Sequence, residues 1–210
     1  MRLIAIPLLA AFIALIAAPI DAVAEDQPTP TEKTTDKTTG SKNGGAKTNG
    51  TKAAKLADAD LKVLAHRHHV NQMEIDMGKM AQQKASSPEV KKYAATIVTE
   101  HTQADKNAMA LAKKRGATIP KQVAETDTEK AEMKANMDQM SKLKTMKGAD
   151  FDTAFLAQMI QSHEAEVARI DTALAQTTDP DVKEYLTNAR PIIQKHADQA
   201  RELQKNAPSS

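Results

Sequence analysis

Three histidines stand at positions where packed helices place buried apolar residues. His101, His163 and His196 each interrupt a series of apolar residues spaced alternately three and four apart, the spacing of the buried face of a helix. On a fourth series Glu74 occupies the equivalent position, although the methionines at 73, 77 and 80 form a rival apolar stripe there. Imidazoles and a carboxylate that converge in a core can ligate zinc, iron, manganese, copper or nickel. The pattern therefore predicts one divalent transition metal at Glu74, His101, His163 and His196.

Chain distance from two predicted turns groups the same residues independently. Two helices joined by a tight turn run antiparallel, so residues equally far from the turn lie level with each other. Glu74 and His101 lie at nearly equal distances on either side of Pro88, and the other two histidines flank Pro180 in the same way. Glu166, one turn beyond His163, is the equivalent of Glu74 in the second pair and is a reserve carboxylate ligand.

A second interpretation needs no metal. In it the histidines hydrogen-bond to one another and to Glu74 as a buried polar layer, because buried polar groups need partners. The protein would then be a non-catalytic structural or interaction module that presents its helices to an envelope protein partner. Periodicity alone does not distinguish this layer from a metal site.

Catalytic motifs are missing from the sequence. It has no cysteine, no glycine-rich phosphate loop and no serine nucleophile motif, and no organic cofactor is indicated. The residues three positions before the histidines are Val98, Ile160 and Ile193, not the glutamates of a Glu-x-x-His di-iron site. With a net charge of +2 and no basic face interleaved with aromatics, nucleic acid is not an expected partner. We therefore expect binding, not catalysis.

Four long helices must position these groups. From Ala54 onward the composition is helix-forming, and it predicts helices at 54–85, 88–115, 150–176 and 180–205, with a further helix at 128–144. The segment 88–93 reappears as 180–185, which indicates two similar helical hairpins. Hairpins joined by a long helical crossover connection predict an all-α, ferritin-like four-helix bundle over residues 54–206. His66, His68 and His69, near the start of the first helix, could form a surface patch that binds copper, nickel or zinc, but we favour a solvated helix start.

The first 53 residues indicate export. Residues 1–24 contain Arg2, an apolar stretch and the small-x-small end Ala22-Val23-Ala24, as a Sec-type signal peptide does. After its cleavage no transmembrane span remains, and the absence of cysteine excludes a lipoprotein anchor. Residues 25–53 are polar and predict a disordered linker. We expect an exported protein, periplasmic or extracellular.

Short segments across the chain resemble the family called domain of unknown function 4142. They are Asn71-Gln72-Met73-Glu74-Ile75 with Gly78, Ser87-Pro88-Glu89-Val90, Glu100-His101-Thr102, Phe151-Asp152, the helix around His163, and Arg190-Pro191 followed by His196. The resemblance covers about Leu56 to Leu203. It implies an exported bacterial ferritin-like helical bundle of the kind often labelled an outer-membrane protein, and it implies no particular activity. A periplasmic metal-binding bundle associated with envelope or metal stress is the function we expect.

Overall fold

The computed structural model describes residues 55–124 and 126–206. The predicted signal peptide at 1–24, the whole predicted linker at 25–53 and the first residue of the predicted domain, Ala54, lie outside the described residues. The described chain forms five helices: α1 (Asp58–Lys84), α2 (Pro88–Lys114), α3 (Asp127–Thr145), α4 (Gly148–Gln176) and α5 (Pro180–Lys205). No strand occurs among these residues, so the predicted all-α class is confirmed for them.

The helix starts follow local capping signals. Ser87 and Asp179 each accept hydrogen bonds from two backbone N–H groups in the first turn of α2 and α5, and a proline follows each of them. Thr126 and Glu129 form a capping box at the start of α3. α1 begins at Asp58, four residues later than the sequence predicted.

The helices pack in two close pairs, α1 with α2 and α4 with α5, and α2 then packs on α5 and α1 on α4. Near the start of α4, Asp152 accepts hydrogen bonds from the backbone N–H groups of Ser86 and Ser87 at 3.0 and 2.8 Å. At the other end of these helices Thr177 donates its hydroxyl hydrogen to Asp60. The two interhelical turns therefore lie at opposite ends of the α1–α4 pair.

A polar layer separates two apolar clusters inside the molecule. One cluster includes Phe151, Phe155 and Met159, and the other includes Leu64, Val182 and Leu186. Between them lies a set of buried polar side chains: Arg67, Asn71, Glu74, His101, Asp105, His163, Glu166 and His196. Unpaired burial of such groups is costly, so each of them needs a hydrogen-bond, ion-pair or metal partner.

On α1 the polar series is the buried one. Leu64, Arg67, Asn71, Glu74, Gly78 and Ala81 are all buried, whereas the rival stripe is buried only at Met77 and is partly covered at Met73 and Met80. Gly78 permits this orientation, because a Cβ atom there would lie 2.7 Å from Val98 Cγ2 and 3.0 Å from the carbonyl oxygen of Ala94. The missing side chain thus lets α1 approach α2 closely.

None of the described helices has the length and apolar character needed to cross a bilayer.

Candidate metal centre

Three histidines from three helices meet in the polar layer. His101 of α2, His163 of α4 and His196 of α5 are at most 3% exposed. Their ring centroids are 5.5, 5.3 and 5.2 Å apart, and one ring nitrogen of each lies within 4.8 Å of the others. The structure therefore brings together all three histidines that the sequence grouped.

Each histidine uses one ring nitrogen to contact an oxygen outside the triad. The three contacts are His101 Nδ1 to Asn71 Oδ1 at 3.0 Å, His163 Nδ1 to the carbonyl oxygen of Met159 at 2.8 Å, and His196 Nε2 to Glu100 Oε2 at 2.8 Å. An oxygen of this kind accepts, so the contacting nitrogen carries the proton and donates it. These outer contacts orient the rings and select their tautomers.

The other nitrogen of each ring is left with a free lone pair. His101 Nε2, His163 Nε2 and His196 Nδ1 are buried and have no hydrogen-bond partner within the described part of the chain. We call these three atoms the inner nitrogens. A neutral imidazole nitrogen without a proton is the form that ligates metals.

Burial keeps the triad neutral. It lowers the pKa of His163 and of His196 to about 4, and it lowers the pKa of His101 well below the usual 6.5. Mutual repulsion adds to the effect at His101 and His196, because a proton on either ring would face a possible charge on its neighbours. At neutral pH the three rings are therefore uncharged, and each can offer a nitrogen lone pair to a metal.

Glu74 lies beside the triad. Its Oε1 accepts a hydrogen bond from Ser162 Oγ at 3.0 Å and lies 3.9 Å from His163 Nδ1, the outer nitrogen of that ring. Its Oε2 is buried without a partner among the described residues, and burial raises the pKa of Glu74 to about 7. Glu74 thus lies beside His163, but it is not part of the group of ligand atoms that the three histidines form.

Glu166 is engaged elsewhere. Its Oε1 accepts from Arg67 Nη1 at 2.6 Å and its Oε2 contacts His66 Nε2 at 2.9 Å. Burial would raise the pKa of Glu166, but hydrogen bonding to His66 and the charge of Arg67 lower it to about 2. The predicted reserve carboxylate is therefore ionised, with both oxygens already in use.

The histidines at the start of α1 are less solvated than the sequence suggested. His66 contacts Glu166, and His68 Nδ1 lies 2.6 Å from Asp105 Oδ1. Both carboxylates are buried, so these histidines cover the polar layer from outside.

Sequence reasoning did not identify the oxygens that orient the triad. Asn71 and Arg67 were visible as polar interruptions of the same α1 face that carries Glu74. Glu100 precedes His101 in the chain yet contacts His196 on another helix, and no spacing within α2 indicates such a contact. The position of Glu100 beside His101 in the sequence indicated only that Glu100 lies near the site.

The family described as "Domain of unknown function (DUF4142)" matches residues 45–203. The chain belongs to this family. The resemblance seen in the short segments is thereby confirmed, and it extends over the three histidines and their outer partners. A comparison with curated proteins gave no match.

Several solved structures share the fold. "CopM in the Cu(I)-bound form" is 22% identical, covers 70% of this chain and 96% of its own, and has a TM-score of 0.57. "CopM in the Ag-bound form (by co-crystallization)" is 22% identical over 71% of this chain and 98% of that chain, with a TM-score of 0.56. "CopM in the Cu(II)-bound form" is 21% identical over 72% and 98%, with a TM-score of 0.55. At such identities the likeness establishes a shared helical fold and nothing more.

Proposed function

We propose that this DUF4142 protein is an exported metal-binding protein that takes one copper ion at His101, His163 and His196. The observation that carries the proposal is a buried triad in which one ring nitrogen of each histidine lies within 4.8 Å of the others and one nitrogen of each ring has no hydrogen-bond partner among the described residues. Metal–imidazole bonds are about 2.0–2.1 Å long, which brings ligand nitrogens to about 3.5 Å from one another. Closure of the rings by about 1 Å is therefore enough to complete the site.

The lone pairs argue against a metal-free polar layer. Such a layer would be stabilised by hydrogen bonds between the histidines, yet none of the three inner nitrogens has a hydrogen-bond partner among the described residues. A buried polar atom without a partner costs about 1–3 kcal/mol. A metal ion would supply the missing partner for all three nitrogens at once.

Glu74 is the proposed fourth ligand. Its Oε2 is buried in the same layer without a partner among the described residues, and ligation requires the carboxylate to turn from the outer side of His163 toward the ion. A carboxylate there would complete a four-coordinate site for Cu(II) or zinc, whereas Cu(I) is satisfied by three donors. Glu166 is not included, because Arg67 and His66 occupy both its oxygens.

Copper is favoured over other metals for two reasons. Among divalent first-row ions Cu(II) binds nitrogen and oxygen donors most tightly, and imidazole suits copper well. The solved structures that share this fold include copper-bound and silver-bound forms of CopM. Zinc is the principal competitor, since three histidines also suit zinc.

The wider role follows from this chemistry. A ferritin-like four-helix bundle, exported by the predicted signal peptide, would hold the ion between its two hairpins and lower its free concentration outside the cytoplasm. That role fits an association with envelope or metal stress and requires no catalytic step. A chain that stayed cytoplasmic with Met1 retained would overturn the exported part of the proposal.

Metal titration of untagged, metal-free protein tests the binding. We expect one equivalent of copper to bind and to stabilise the fold by about 2.7 kcal/mol when free copper exceeds Kd a hundredfold. His163→Ala should abolish that gain, whereas His69→Ala, which removes an imidazole outside the triad, should preserve it. Absence of bound metal in the wild type, or full retention of the gain in His163→Ala, would overturn the proposal.

A further inference from the structure

An open groove of about 470 Å³ runs between α2 and α5 and ends at the histidine triad. Its walls are mainly apolar, with Ala104 and Leu111 on one side and Ala189, Ile192 and Ile193 on the other. His101, His196 and Arg67, which are almost fully buried, line its inner end together with Glu100. The groove therefore leads from solvent to two of the three rings.

The other sides of the triad are packed, and α4 and α5 form one of the two close helix pairs. Gly78 brings α1 against Val98 and the backbone of α2, which closes the α1–α2 side. Between α1 and α4, the Arg67–Glu166 ion pair and the Ser162–Glu74 hydrogen bond fill the space. The α2–α5 side is thus the least obstructed path for an ion.

Glu100 connects the groove to the triad. Its side chain is 32% exposed, and its Oε2 accepts the proton of His196 Nε2. A carboxylate that reaches solvent and also contacts a ligand residue can attract a hydrated cation and pass it inward. Asp181, farther out, is already paired with Lys114 and Arg115.

We propose that copper reaches the triad through the α2–α5 groove and passes between His101 and His196, with Glu100 as the residue that captures it. The inference rests on the proposed function. Because the inner nitrogens are buried, the His196 ring has to swing toward the groove while Glu100 keeps hold of its Nε2 proton. The triad then supplies the ligands, whereas the groove and Glu100 set the rate of uptake.

Narrowing the groove tests the route. In Ala104→Phe a ring replaces a methyl group on the α2 wall, whereas Ala95→Phe places the same ring at an exposed position of α2 that does not line the groove. We expect Ala104→Phe to slow copper association and dissociation about tenfold each and to leave Kd within about threefold. Ala95→Phe should match the wild type. Unchanged rates in Ala104→Phe would overturn the route.

A second variant guards against misfolding of the first. Ile192 is 43% exposed at the lip of the groove, so Ile192→Trp should fold normally and slow both rates in the same way. Thermal unfolding of each metal-free variant verifies the fold. If Ile192→Trp folds and takes up copper at the wild-type rate, the route is wrong even if Ala104→Phe is unstable.

Charge removal tests Glu100 separately. Glu100→Gln keeps an oxygen that can accept from His196 and loses the charge, so association should slow about tenfold and depend less on salt, with dissociation nearly unchanged. Glu184→Gln removes a charge that lines the same groove but makes no contact with His196. An equal effect of both substitutions would overturn the specific role of Glu100. If the wild type binds no copper, the proposed function fails along with this inference, whereas tight binding with insensitive rates defeats the route alone.

Discussion

At the scale of single residues, the triad divides the two nitrogens of each ring between two tasks. The outer nitrogen donates to Asn71, Met159 or Glu100, and the inner nitrogen keeps its lone pair. Two rings present Nε2 inward and His196 presents Nδ1. The outer oxygens therefore determine which atom of each ring is available as a ligand.

Proton uptake should destabilise the metal-free protein in mild acid. In the unfolded chain the histidines have their usual pKa near 6.5, whereas burial lowers that of His163 and His196 to about 4. The unfolded state thus binds more protons between these values, and stability should fall as pH decreases from 6.5 to 4, by up to about 3 kcal/mol for each of these histidines. Glu74 opposes this trend, because its pKa of about 7 favours the folded state at low pH.

Urea unfolding in the presence of a chelator, at pH values from 4 to 7.5, measures this dependence. His163→Ala should show a shallower decline below pH 6.5, and Glu74→Gln a steeper one. His69→Ala is the control for loss of a histidine outside the triad. A wild-type stability that stays constant between pH 6.5 and 4 would contradict the assignment of neutral buried rings.

Arg67 and Glu166 should stabilise the fold only when both are present. Both side chains are buried, so Arg67→Met leaves the charge of Glu166 without its main partner and should cost about 3–5 kcal/mol. The double variant Arg67→Met/Glu166→Leu should recover most of that loss, because no charge is then buried. Urea unfolding compares the two. If Arg67→Met is as stable as the wild type, Glu166 does not depend on Arg67. If Glu166→Gln binds less than one equivalent of copper, Glu166 is a ligand after all.

At the scale of helices, α1 owes its orientation to one glycine. Gly78→Val should force α1 away from α2, since even a Cβ atom meets Val98 at 2.7 Å and the Ala94 carbonyl oxygen at 3.0 Å. We expect a loss of about 1–3 kcal/mol from overpacking. Thermal unfolding should detect it, and Val98→Ala should partly reverse it by removing the nearer contact.

The neighbouring residue provides the matched control for this substitution. Lys79 is exposed on the same helix, so Lys79→Val reports only the helix propensity of valine. An equal loss at positions 78 and 79 would mean that α1 does not approach α2 closely at Gly78.

Helix positions were largely predictable from the sequence because the signals are local. Ser87-Pro88 and Asp179-Pro180 cap α2 and α5 through contacts within three residues, and the starts of both helices agree with prediction. The start of α1 was predicted too early, since the sequence before Asp58 has no side-chain cap to define it. Local propensity locates a helix but leaves an uncapped end imprecise.

At the scale of the whole molecule, the sequence predicted which histidines would meet, because seam periodicity and level along two hairpins are properties of regular helices. It could not predict the ring orientations, since the contact of Glu100 with His196 depends on how two helices pack. The α2–α5 groove is likewise a result of packing between hairpins.

The ordinary pKa of histidine would place the loss of metal binding near pH 6, whereas burial of the triad moves proton competition toward pH 4.

Anomalous diffraction at the copper edge, from crystals of the copper-bound protein, tests the central claim most directly. We predict one peak in the polar layer, about 2.0 Å from His101 Nε2, His163 Nε2 and His196 Nδ1. The outer contacts with Asn71, Met159 and Glu100 should be retained. A copper peak at His68 and His69 with none at the triad, or a peak bonded to the outer nitrogens, would contradict the account.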